Sequence, residues 1–296
     1  MARKLRILLL PCLMVAGIFV SGFASFDALL APDAKSIPRW TSFNSESTTT
    51  VKVKNWNLFL NNYREENYDG IARIAYHRIS LNDRLVLRDF IEHLQSIPVS
   101  KLNRQEQLAY WINLYNAATV QIVLDHMPVE SIQDIDISPG LFASGPWGKK
   151  LLRVEGEKLS LNDIEHGILR PGWKDPRIHY VLNCASLGCP DIPQIAITAK
   201  NSDNQLTFAA KHFIDHPRAI TIPENNEAIV SSIYVWFKED FGGSDAAILD
   251  HMRTYASKEK KKALMKVRSL ESHRYDWNLN AVPVVATAST GSSVQD

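Results

Sequence analysis

The helix signal between Asn103 and Asp125 constrains this chain more than any other feature. Asn103 stands where an N-cap is needed, and Glu106 follows three residues on in capping-box spacing. Leu108, Trp111, Ile112, Tyr115, Thr119 and Ile122 then fall on one stripe. A long helix with so bulky a stripe must lie against a substantial core. Asn113 and Asn116 sit beside the stripe. Asparagine is a poor interior helix former because its amide competes for backbone partners, and near a buried face it must be hydrogen-bonded to be tolerated. Either these two amides tie the helix to neighbouring loops, or one of them orients a substrate or a catalytic group.

The other segments surround this helix with mixed elements. Trp56 to Tyr63 and Leu81 to Gln95 have helical apolar spacing, and Ile71 to Tyr76 reads as a short strand after the Asp69-Gly70 turn. Leu151–Val154 and Lys158–Leu159 read as a hairpin around Gly156. Ser160 caps a helix that carries Glu165 and His166 and is expected to end before Pro171. Arg177 to Cys184 alternates and reads as a buried central strand, followed by a loop holding Cys189-Pro190. A helix is expected over 204–214. A strand pair follows over 219–222 and 228–230, then helices over 231–238 and 244–266. The sum is an α+β class: a single globular domain with helices packed on a small mixed or antiparallel sheet.

The ends differ from the middle. Arg3, Lys4 and Arg6 precede an apolar run from Ile7 to Val20, and Gly22 and Ala24 are small residues placed for a cut after Ala24. This is the pattern of a secretory signal peptide over 1–24. The run falls short of the about 20 residues of a comfortable membrane span, although an uncleaved anchor is the alternative. Pro11 before Cys12 argues against a lipoprotein cut. Residues 25–50 are expected to be a flexible leader, 51–280 the globular domain, and 281–296 a disordered tail. Loss of 1–24 takes the net charge from +1 to −2, so no global field favours nucleic acid or an acidic membrane surface. No later segment reaches spanning length. A periplasmic or extracellular location follows from the signal.

Three stretches together resemble the domain of unknown function family 547: Arg104–Ala117 (RQEQLAYWINLYNA), Leu159–Arg170 (LSLNDIEHGILR) and His179–Pro190 (HYVLNCASLGCP). The closing Tyr275–Asn280 (YDWNLN) is a fourth. Gly188 departs from the pattern, where serine is expected. The resemblance spans roughly 50–280 and implies a fold and boundaries; the family carries no settled activity to transfer.

Chemistry concentrates at Cys184 and Cys189, the two cysteines left after signal removal. In an oxidising compartment they can form a disulfide. They can equally be inert buried thiols, a nucleophile and its neighbour, or part of a metal site, for which the C-x4-C spacing is not the usual zinc pattern. As a nucleophile, Cys184 needs a base. On a strand, His179 would face the opposite side about 16 Å away, so His166 is the better partner. Glu165, about 100° round the helix from His166, is a poor orienter of that ring, and Asn113 or Asn116 is better placed. The sequence therefore supports an exported envelope domain that binds a small molecule or an envelope protein in a polar-lined pocket. The alternative is a thiol-dependent hydrolase or transferase with Cys184 as nucleophile and His166 as base. No cofactor or metal motif accompanies either. N-terminal sequencing of the exported chain is expected to begin at Ser25; an intact Met1 in the membrane fraction would show an anchor instead.

Overall fold

The computed structural model describes residues 32–140 and 144–284. The signal stretch 1–24 and most of the expected tail lie outside them. The elements run α1 (Lys54–Tyr63), β1 (Arg64–Glu66), β2 (Ala72–Ile74), α2 (Leu81–Ser96) and α3 (Arg104–His126). There follow β3 (Leu152–Val154), β4 (Glu157–Leu159), a π-helix (Asp163–Leu169) and α4 (Arg170–Trp173). After a 3-10 turn at Pro176–Tyr180 come α5 (Ser202–Asp215), β5 (Ile220–Thr221), β6 (Glu227–Ser231), α6 (Ile233–Trp236), α7 (Asp245–Tyr255), α8 (Lys258–Leu264) and β7 (Ser269–Arg274). The α+β expectation holds. β1–β2 and β3–β4 are antiparallel pairs, and β5–β6–β7 is a mixed sheet in which β6 and β7 run parallel. Among the described residues no helix is long and apolar enough to cross a membrane.

The cap at Asn103 is in place, its side chain accepting from the Glu106 N–H at 2.9 Å. Downstream, α3 departs from the one-stripe expectation, because every residue from Glu106 to Leu124 is buried. It is the axle of the larger core, with α2, the β3–β4 hairpin and the π-helix around it. Trp111 is edge-on to Trp40 at 5.3 Å between ring centroids. That contact corrects the flexible-leader expectation for residues 32–50. The Lys35 and Ile37 N–H groups donate to the carbonyls of His166 and Gly167, both at 3.0 Å, and Trp40 is buried. The leader is thus packed along the π-helix from Lys35 onward. At the other end, Ala281 bridges to Ile74 and the Val282 N–H donates to Ile74 O, so the tail begins later than 281. A second core gathers Tyr180, Phe213, Tyr234, Phe241 and Met252 beneath the mixed sheet.

Three local expectations need correction. The helix over 160–170 does not stop at Pro171, because α4 carries it on to Trp173 with the proline in its first turn, where no N–H is required. The helix over 244–266 is two, with Ser257 capping the second by accepting from Lys260 N–H. No strand runs from Arg177 to Cys184. Asp175 and Pro176 start a 3-10 turn instead, the Asp175 side chain accepting from the Arg177 N–H. The alternation there reflected burial rather than strand geometry, since Ile178, His179, Tyr180 and Val181 are all buried.

Candidate functional site

A buried chain without a strand ladder must satisfy its backbone groups by other means. Between Val181 and Pro190 asparagine side chains do so. Asn116 Nδ2 donates to Val181 O at 2.8 Å, and its Oδ1 accepts from the Asn183 N–H at 2.9 Å. Asn183 Oδ1 accepts from the Ala185 N–H at 2.9 Å and from Asn280 Nδ2 at 3.0 Å, while its Nδ2 donates to Pro190 O at 2.8 Å. Tyr76 Oη closes the set on Asn280 Oδ1 at 3.0 Å. Behind the loop, Arg218 Nη1 donates to the carbonyls of Leu187 and Cys189, and Nη2 pairs with Asp191 at 2.8 Å. Ala185 is held at φ 62°, left-handed backbone that costs a residue with a Cβ about 1–3 kcal/mol. Gly188 has a steric reason: a Cβ there would lie 2.6 Å from Asp276 N, where the loop packs on the closing segment.

This loop puts Cys184 on the floor of a cavity of about 470 Å³. Its sulfur, half-buried, lies 2.9 Å from Tyr275 Oη and 3.2 Å from Ser186 Oγ. The Cys184 N–H donates to the sulfur of buried Cys189 at 3.0 Å. Both cysteines are free, so the disulfide reading is not what the structure holds. Burial opposes ionisation of Cys184, but hydrogen bonds from Cys189, Ser186 and Tyr275 outweigh it and hold the thiol below its ordinary range. Burial and the neighbouring Cys184 push Cys189 the other way.

One wall is aromatic. Trp236 stacks on Trp277 at 5.7 Å, Tyr275 lies 4.8 and 4.6 Å from those two rings, and Trp147 meets Trp277 edge-on at 5.7 Å. The buried Trp236 Nε1 has no hydrogen-bond partner in the structure.

The facing wall is the π-helix. Its i→i+5 bonding, seen in Arg170 N–H donating to Glu165 O, shifts side chains round the axis. Glu165 and His166 both line the cavity. His166 Nδ1 lies 3.0 Å from Arg170 Nη1, a permanent donor, so the ring accepts there and carries its hydrogen on Nε2. Burial pushes His166 down to about 4, with Arg170 adding to the shift. It is a neutral donor at neutral pH, and its Nδ1 lone pair is not free to take a proton from a thiol. His179, placed far away by the strand reading, lines the same cavity. Its Nε2 bonds Asp240 Oδ2 at 2.7 Å, its Nδ1 lies 3.8 Å from Glu165, and its ring stacks on Phe237 at 4.3 Å. Asp240 also takes Arg170 Nε at 2.5 Å. Burial works against its charge, yet the bonds from His179 and Arg170 hold Asp240 at about 2.

Of the four sequence candidates, the structure brings Cys184 and His166 to one cavity. Asn113 and Asn116 are elsewhere in function: Asn113 clamps the Ile197 backbone through both ends of its amide, and Asn116 holds the loop as above. Both are structural ties rather than cavity groups. Tyr275 and Trp277 were within a recognised motif without a role attached, while Asp240 and Trp236 had no signal. Among the described residues no group of three or more His, Cys, Asp and Glu is arranged to hold a metal ion.

The family model described as "Protein of unknown function, DUF547" matches residues 99–214, from the start of α3 to the end of α5. The match takes in the Cys184 loop and the π-helix but not Trp236, Asp240 or Tyr275. No curated protein and no solved structure matches the chain.

The His166 environment has a pH consequence. Its folded-state pKa of about 4 lies below the roughly 6.5 of an unfolded histidine. The unfolded chain therefore takes the proton first as pH falls. The stability from keeping His166 neutral is full above about 6.5 and is lost as pH drops towards 4, on the order of 3 kcal/mol in all. Denaturant unfolding across that window is expected to fall less steeply in His166→Gln than in the unaltered chain; parallel curves would show that His166 is readily protonated in the fold.

Proposed function

We propose that, in this chain whose residues 99–214 match the model described as "Protein of unknown function, DUF547", the cavity at Cys184 is a binding pocket for a compact small molecule. The ligand has one flat apolar face and at least one hydrogen-bond acceptor. The observation that carries this reading is a cavity lined by the packed rings of Trp236, Trp277 and Trp147 together with His166 and Glu165. The apolar face has Trp236, Trp277 and Trp147 to lie on, and His166 Nε2–H and Glu165 stand opposite. A cavity of about 470 Å³ is within the usual range for small-molecule sites. Export to the envelope, on the strength of residues 1–24, would place this pocket in the periplasm or outside the cell.

The thiol-dependent hydrolase or transferase is the second reading, favoured by the hydroxyls of Ser186 and Tyr275 at the Cys184 sulfur. In it Cys184 would act as a preformed thiolate, without His166 as base.

A thermal-shift screen of small carboxylates, amides and ring-bearing alcohols tests the pocket. A ligand is expected to raise the melting temperature by mass action and to quench tryptophan emission. Trp236→Leu, which removes the flat ring from the wall, should weaken it by about 0.5–1.5 kcal/mol, roughly twofold to tenfold. Equal affinity in that variant for every ligand found would sink the reading. A ligand that leaves a covalent mass adduct on Cys184 would move the assignment to thiol chemistry.

A further inference from the structure

We propose that Cys184 and Cys189 are a dithiol redox pair that reduces small organic disulfides entering the cavity, Cys184 attacking and Cys189 resolving. The inference rests on the cavity admitting a small molecule, and adds an activity to it.

The geometry divides the labour. Both cysteines line the cavity, but Cys184 is partly exposed whereas Cys189 is 4 % exposed. An incoming disulfide therefore meets Cys184 more openly than Cys189. The Cys189 sulfur takes the Cys184 N–H at 3.0 Å. It therefore lies beside the residue whose sulfur it would attack. The turn between them is already closed by the Cys189 N–H donating to Ser186 O at 3.2 Å, so joining the sulfurs asks for a local adjustment only. Ser186 Oγ and Tyr275 Oη lie at the Cys184 sulfur, while burial and the neighbouring Cys184 oppose charge on Cys189. That is the order an attacking and a resolving thiol require.

The steps balance. The Cys184 thiolate attacks one sulfur of R–S–S–R; that S–S bond breaks, R–S⁻ leaves and takes a proton from solvent, and Cys184 holds a mixed disulfide. Cys189 then loses its proton to solvent and attacks the Cys184 sulfur. The second R–S⁻ leaves and is protonated, and a Cys184–Cys189 disulfide remains. The substrate gains two electrons and two protons, and the two protein thiols lose them.

The test uses the full chain carrying Cys12→Ser, so that Cys184 and Cys189 are its only thiols. The reduced protein is mixed with dithiodipyridine while released thiopyridone and intact mass are followed. Two thiopyridones per chain are expected, the second in a phase whose rate is independent of probe concentration, leaving a chain two hydrogens lighter. Cys189→Ser should halve the release and keep a thiopyridyl adduct on Cys184; Cys184→Ser should lose the fast phase. Peptide mapping of the otherwise unaltered chain reads the Cys184–Cys189 link even if a variant folds poorly. An adduct that persists on Cys184 beside a free Cys189, or adducts on both, would overturn the redox pair and leave the pocket standing. A Cys184 that reacts only after unfolding would overturn both.

Discussion

The buried amide set of Asn116, Asn183 and Asn280 is the constraint on which the site depends. Irregular backbone from Val181 to Pro190 runs through the core, where each unpaired polar group would cost about 1–3 kcal/mol. Two asparagines, from α3 and from the closing segment, meet a third in the loop itself, and together they answer the backbone of Val181, Asn183, Ala185 and Pro190. Because those bonds fix the path, the chain tolerates the left-handed Ala185 beside Cys184. Arg218, braced by Asp191, holds the far side of the same loop. Cys184 is thereby presented to the cavity by a scaffold with little freedom to relax.

The opposite wall is organised by charge. Asp240 accepts from both Arg170 and His179, and Arg170 in turn donates to His166 Nδ1. One half-buried carboxylate thus offsets one permanent cation and orients one imidazole, while the guanidinium fixes the tautomer of the other. The π-helix register brings Glu165 into the same space. This wall presents a neutral imidazole donor and a carboxylate, and the floor presents a thiol with hydroxyls at its sulfur. Such a division suits a thiol that reacts without a histidine base.

Much of this was legible in the sequence, and the failures have physical causes. The Asn103 cap and the need to satisfy Asn113 and Asn116 follow from local chemistry, and the structure resolves their open roles in favour of tying loops. His166 was read as the better partner of Cys184, and both line one cavity, but Arg170 occupies the His166 lone pair that a base would need. The strand over 177–184 was misread because a segment buried on all sides need not join a ladder. His179 was consequently placed far from Cys184, whereas Glu165, read as a poor orienter of the His166 ring, lies against His179 instead. Asp240 and Trp236 reach the site from distant segments with no local signature. The leader hid its anchor in a single residue, Trp40, among Ser, Thr, Asn and Pro.

The hydrogen bonds of this fold hold the Cys184 thiol, at the cavity floor, below its ordinary range. The most direct measure of this is the thiolate ultraviolet absorbance of the folded chain against pH, with that of Cys184→Ser subtracted. A midpoint below the about 8.5 of an ordinary cysteine, moving upward in Tyr275→Phe, is the expected result. A midpoint at or above the ordinary value, unmoved by that substitution, would contradict it.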